Sequence, residues 1–218
     1  MNSNAPTTWI MTTLGEIFDW ASGGTPLKGV PEYYDGDIPW VVIGDLNDGV
    51  VSSTKSAISQ RGLVESSAKW VTPDSVLVAM YGSIGKLGIN SLPITTNQAI
   101  AFTHPDPIPS KFLFYYLMGR RSELVARGKG GTQSNVSQTV IKAFPFVVPP
   151  LPEQHRIVEA IESYLTRLDD AVATLERVQQ NLRRYRASVL KAAVEGRLVP
   201  TEAELAQALQ ELGEGKDG

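Results

Sequence analysis

Cysteine is missing from all 218 residues, which excludes disulfides, thiolate nucleophiles and Cys-ligated zinc at once. Histidine is nearly missing. His104 sits in the Pro-rich turn THPDPIP and His155 near the start of a helical run, so neither a Ser-His-Asp triad nor a metal cluster assembles around them. No stretch approaches the roughly 18 apolar residues that a membrane span needs. The N-terminal MNSNAPTTWIMTTLGE has no basic cluster followed by an apolar core, so a soluble, cytoplasmic protein without a membrane partner is expected. A basic excess of the kind that neutralises phosphates is also lacking. The net charge is -3, but the acidity is local: residues 1–152 carry 11 Lys and Arg against 11 Asp and Glu, residues 153–199 carry 8 against 7, and residues 200–218 carry 1 against 5. A neutral body can still present a basic face.

Catalytic constellations are absent in the same way. Gly82-Ser83-Ile84-Gly85-Lys86-Leu87 hints at a phosphate loop, but Met80 stands where the first glycine is needed and Leu87 replaces the Ser or Thr that would hold Mg²⁺. Pro149-Pro150 has neither the preceding polar residue nor the following aromatic of an amino-methyltransferase site. Asp35, Asp37, Asp45 and Asp48 lie scattered through turns, with no spacing that builds a nuclease metal site. No enzyme and no cofactor of its own are expected.

Residues 1–150 do hold short apolar runs, Ile38 to Ile43, Val76 to Tyr81, Ala99 to Phe102 and Phe144 to Val148, which read as strands. Turn chemistry separates them at Asn47-Asp48-Gly49, Thr72-Pro73-Asp74 and Pro105-Asp106-Pro107. One helix is expected from Ser110, as N-cap, to about Arg127, with Gly128 as its stop. The sequence thus predicts an α+β fold: a mixed globular domain over 1–150, a long helix over 151–199 and an acidic tail over 200–218, helical from Thr201 to Leu212.

Pro149-Pro150-Leu151-Pro152 makes a stiff connector into that helix, and no glycine follows until Gly196. Its apolar residues fall in heptads, with Val158, Leu165 and Val172 at one seam position and Ile161, Leu168, Leu175, Leu182 and Val189 at the other. Gln179 and Arg186 continue the first series as polar residues that fix register. Residues 153–195 would span about 64 Å at 1.5 Å per residue. So narrow a stripe wants a partner helix, whereas a helix folded back on its own domain would show a wider one. Arg183, Arg184 and Arg186 read as a solvated flank of the coiled coil or as phosphate contacts.

Three loops rich in Gly, Ser, Thr, Asn and Gln offer donors suited to phosphates and base edges: Ser22 to Lys28, Tyr81 to Lys86 and Lys129 to Asn135. Ordinary turn chemistry accounts for the same composition.

Taken together, ordered segments along the chain resemble the specificity subunits of type I restriction and modification systems. They are Leu14-Gly15-Glu16-Ile17, Ser22-Gly23-Gly24-Thr25-Pro26, Glu32-Tyr33-Tyr34, Gly36-Asp37-Ile38-Pro39-Trp40-Val41 with Asp45-Leu46, and Val76 through Lys86. Thr96-Asn97-Gln98-Ala99, Gly131 through Ser137 and Pro149 through Gln154 complete the series. The resemblance implies a DNA target recognition domain carried on a spacing helix. Members of that family usually hold two such domains and two helices in approximate twofold symmetry, each domain reading half of a split site. This chain has one of each, which implies an antiparallel homodimer on double-stranded DNA. The resemblance also implies methyltransferase subunits and restriction subunits as partners, and it is they that would hold S-adenosylmethionine and ATP with Mg²⁺. The expected DNA contacts are Ser22, Gly23, Gly24, Thr25, Lys28, Tyr81, Ser83, Lys86, Lys129, Gln133, Ser134 and Asn135. Of these the three lysines would take phosphates, while Gly23, Gly24 and Thr25 are open to a purely architectural reading. Base readers are expected between Val50 and Lys69. Two alternatives stay open: a coiled-coil scaffold that never touches DNA, and a regulatory half-subunit that exchanges with a longer specificity chain.

Overall fold

Val76-Leu77-Val78-Ala79 has no polar face to offer solvent, so as a strand it needs apolar packing on both sides. A computed structural model describes residues 8–128 and 135–214 and places this run at the centre of the globular part. In chain order the elements are β1 (Ile10–Thr13), α1 (Leu14–Ile17), β2 (Ala21–Ser22), β3 (Ile38–Val41), β4 (Gly49–Val51), β5 (Ser56–Ile58), α2 (Gln60–Val64) and β6 (Trp70–Val71). There follow β7 (Val76–Ala79), β8 (Leu87–Asn90), β9 (Ile94–Thr96), β10 (Ile100–Thr103), α3 (Ser110–Gly119), α4 (Arg121–Ala126), α5 (Gln138–Lys142), β11 (Pro145–Val148), α6 (Leu151–Val194) and α7 (Glu202–Glu214). The fold is mixed α and β with one long helix, as the sequence predicts.

Three sheets form: β1 with β11, a five-stranded sheet ordered β2-β10-β7-β8-β4, and a four-stranded sheet ordered β5-β3-β9-β6. Neighbours run antiparallel except β4 with β8 and β3 with β9. The twofold period of β7 sends Val76 and Val78 into one core with α3, α4 and α5, and Leu77 and Ala79 into a second core with Val41, Leu46 and Ile94. A third cluster, around Trp40 and Ile58, lies on the four-stranded sheet.

The helix expected from Ser110 to Arg127 is two helices. It breaks at Arg120, where φ is -112° and ψ is 18°. That break lets the Arg120 guanidinium reach back to the Pro145 carbonyl at 3.1 Å and to both Glu123 carboxylate oxygens, while it lies over the Phe144 ring at 4.8 Å. Ser110 is likewise not the N-cap. Pro109 takes that position, and the Ser110 hydroxyl donates to the Asp74 carbonyl at 2.5 Å. Arg120→Ala should therefore lower stability by about 2 kcal/mol through lost cation–π and charge-assisted bonds, visible as a drop in melting temperature. Arg120 holds the Glu123 carboxyl below its ordinary range. A depressed carboxylate stabilises above its unfolded pKa and loses that effect as pH falls through the folded value. The melting-temperature gap between wild type and Glu123→Gln should accordingly be full at neutral pH and close in acid.

By contacts the chain divides into Met1–Ala160 and Ile161–Gly218. The first unit takes in the opening turns of α6 because they pack on its core: Val158 is 8% exposed within it, and the buried Gln154 donates from Nε2 to the Pro149 carbonyl at 2.8 Å. Val158 therefore belongs to the globular core rather than to a helical seam, a correction the heptad pattern could not supply. In the second unit α6 is capped just past Val194 by Gly196, with φ +70°, where Arg197 N–H bonds the Ala192 carbonyl at 2.8 Å and Gly196 N–H the Ala193 carbonyl at 3.2 Å.

Candidate nucleic-acid interface

Segments far apart in the chain meet at the β9–β10 turn, Asn97-Gln98-Ala99. From the first polar loop, Thr25 Oγ1 donates to Gln98 Oε1, and Gly24 N–H bonds the Thr96 carbonyl at 2.9 Å. Just before the second, Met80 N–H bonds the Ala99 carbonyl at 2.8 Å. Just past the third, Val136 N–H bonds the Met80 carbonyl at 3.0 Å. The first loop and the residues that border the second and third are thus tied, directly or through one another, to a single turn.

Packing explains the Gly-Gly pair. A Cβ on Gly23 would stand 1.9 Å from the Thr96 carbonyl oxygen, and one on Gly24 would stand 2.3 Å from the Ser67 carbonyl carbon. The Gly24 carbonyl is engaged as well, accepting from Trp40 Nε1 at 3.1 Å, while Trp40 packs edge-on to Tyr34 and the Tyr34 hydroxyl donates to the Pro26 carbonyl at 2.6 Å. Gly23 and Gly24 are therefore buried joints between sheets, not surface contacts, which corrects their place among the expected DNA-binding residues. Thr25 and Ser22 are half-buried, and Ser22 sits opposite Ala101 in the sheet.

Other expected residues do reach solvent. Lys28, Tyr81, Ser83 and Asn135 are exposed and Lys86 is half-buried. Lys129, Gln133 and Ser134 lie outside the described residues. The Tyr81–Lys86 turn is held by two glycines at positive φ, Gly82 at +62° and Gly85 at +76°, and by the Lys86 N–H to Ser83 carbonyl bond at 3.1 Å. Its far side rests on α4, since a Cβ on Gly85 would meet Arg121 Cγ at 2.9 Å. Arg121 in turn pairs with Asp48 at 2.6 Å, and Asp48 Oδ1 accepts the Leu87 N–H at 2.9 Å. Asp48, Arg121 and Gln98 brace the loops without having been expected to; only the place of Gln98 within the family segment Thr96-Asn97-Gln98-Ala99 hinted at it.

Around these loops some cations are paired and others are not. Arg61, Arg120, Arg121 and Arg127 each pair with a carboxylate. Lys28, Lys69 and Lys86 have no carboxylate partner among the described residues. Unpaired, solvated lysines beside backbone-rich loops suit phosphate oxygens. Among the described residues no group of three or more His, Asp or Glu could hold a metal ion, and no helix is long and apolar enough to cross a membrane.

In the second unit the heptad residues lie open: Leu165, Leu168, Val172, Leu175 and Leu182 are all exposed, Leu175 by 68%. Gln179 and Arg186 are exposed with them, and Ile161 and Val189 are half-covered.

The type I restriction modification DNA specificity domain matches residues 6–182, a stretch that takes in all three loops and the seam as far as Leu182. This chain belongs to that family. It is 30% identical over 173 residues to the specificity subunit of the type I restriction enzyme EcoR124I/EcoR124II from Escherichia coli, covering 76% of this chain and 43% of that protein. The specificity subunit of the MjaIX enzyme from Methanocaldococcus jannaschii is 26% identical over 192 residues, with 85% and 44% covered. A chain solved in work on complex assembly and conformational transition of the type I R-M system superposes with a TM-score of 0.66 at 25% identity, over 90% of this chain and 48% of that one. The HsdS subunit from Thermoanaerobacter tengcongensis shares the fold, with a TM-score of 0.65 at 24% identity over 90% and 47% of the two chains. Against each of these type I specificity relatives the chain spans under half of their length.

Proposed function

We propose that this chain is a non-catalytic DNA reader that recognises one half of a split site. Two copies, joined antiparallel through α6, would direct adenine methylation and DNA cleavage by separate subunits. One observation carries the reading. Among the described residues the heptad seam of α6 from Leu165 to Leu182 lies uncovered, an apolar stripe that a second helix would fill. Antiparallel pairing of alternate seam positions sets Leu165 against Leu182, Leu168 against Gln179 and Val172 against Leu175, a self-complementary match that closes with twofold symmetry. The α6 helix of 44 residues is about 66 Å long, so the reading heads would stand at most about 19 base pairs apart. Bases would be read from the exposed loops around Gln98, with Lys28 and Lys86 on phosphates and Tyr81, Ser83 and Asn135 nearer base edges.

Methylation mapping in cells expressing the chain with a cognate methyltransferase subunit tests this. A palindromic, interrupted adenine-methylated motif is the expected result. An asymmetric motif would mean pairing with a different specificity chain. No motif despite good expression would leave a scaffold that does not read DNA.

A further inference from the structure

Trp70 is the exposed counterpart of Trp40. Both sit opposite Thr95 in the four-stranded sheet, so the three side chains form one row on one face. Thr95 is buried and bonds the Pro39 carbonyl at 2.9 Å, and Trp40 is 9% exposed, yet Trp70, on the edge strand β6, is 51% exposed. Its neighbour Val71 is buried in the second core, which fixes Trp70 on the opposite face. No aromatic ring or cation covers it among the described residues. A tryptophan is usually buried, and on an edge strand an exposed one invites unwanted pairing, so its position asks for a partner.

The place of β6 says what kind. Ser67 and Ala68 lie directly against Gly24, so the segment leading into β6 runs beside the first polar loop. Thr95 precedes Gln98 by three residues, which puts Trp70 within about 15 Å of the Thr25–Gln98 contact, from strand rise and spacing. That is comparable to the roughly 12 Å width of a DNA major groove. Beside Trp70, Lys69 is exposed without a carboxylate partner among the described residues, and the nearby Glu65 is already paired with Arg61 at 2.9 Å.

We infer that Lys69 and Trp70 extend the DNA-reading face, Trp70 as an apolar contact to base edges in the groove and Lys69 on an adjacent phosphate. The inference rests on the DNA-reading proposal above, and its test separates the two. The full chain, co-purified with its methyltransferase subunits, is titrated against a labelled duplex carrying the mapped methylation motif and against a scrambled duplex. Trp70→Ala should bind the motif about tenfold more weakly and the scrambled duplex unchanged, with Trp70→Phe keeping most of the affinity. Lys69→Gln should weaken both duplexes and lower the salt slope by about one. Because Trp70 is exposed, its variants should melt like wild type, and DNA should shield wild type but not Trp70→Phe from acrylamide quenching. Motif binding by Trp70→Ala equal to wild type would overturn the inference alone. So would normal DNA affinity with poor recovery of the methyltransferase subunit, which would make Trp70 a protein contact. Wild type that does not distinguish the duplexes would overturn both readings.

Discussion

Gly23→Ala is expected to leave little folded protein. The added methyl would lie 1.9 Å from the Thr96 carbonyl oxygen, a backbone atom inside a paired strand that cannot rotate away. Relief would require β9 to move, and with it the Gly24–Thr96 bond and the Trp40 contact to the Gly24 carbonyl. Overpacking of that severity costs more than about 3 kcal/mol against a total stability of about 5–15 kcal/mol. Soluble yield and thermal melting would report it. Gly29→Ala makes a fair control, since nothing stands within 4 Å of the atom it adds. Melting of Gly23→Ala within a few degrees of wild type would mean that the junction yields, and that the Gly-Gly pair does not hold the sheets together.

Leu175→Asp should convert the proposed dimer to monomer while leaving the body intact. Leu175 is 68% exposed in the single chain, so the substitution removes nothing from the globular cores. In an antiparallel pair it would face Val172 of the second copy, and twofold symmetry would enter the lesion twice. With each buried leucine contributing about 2 kcal/mol, and a charge placed against an apolar wall besides, dimer affinity should fall more than about a thousandfold. Light scattering after size exclusion measures the mass, and the methylated motif should disappear from cells at the same time. An intact dimer carrying Leu175→Asp would rule out this seam as the joint.

Much of the architecture could be read from local pattern. The long helix announces itself through Pro149-Pro150 and its heptads, and β7 through four consecutive apolar residues. What could not be read depends on contacts between distant segments. Arg120 breaks a helical run only because Phe144 and Pro145 lie within its reach. Val158 shares its heptad phase with Leu165, and the phase does not tell that one faces a core and the other solvent. The polar loops around Gln98 were visible as composition, but local pattern left Gly23 and Gly24 open between DNA contact and architecture, and only the distant Thr96 and Ser67 packed against them decide it. Trp70 gave no signal at all, since an aromatic beside a lysine is equally at home inside a fold.

The pairing of β1 with β11 sets when this body can finish folding. Ile10 lies opposite Val148, and Leu14 N–H bonds the Phe144 carbonyl at 3.0 Å, so the first strand is completed by the last. Closing so long a loop comes late and slows folding. At about 5–20 residues per second the ribosome would leave β1, with its exposed Ile10 and Met11, waiting on the order of ten seconds for its partner. Phe144 and Phe146, both fully buried, also arrive only then. Nascent chains arrested before Val148 should therefore be open to protease throughout the globular body, and those that carry α6 clear of the exit tunnel should resist it.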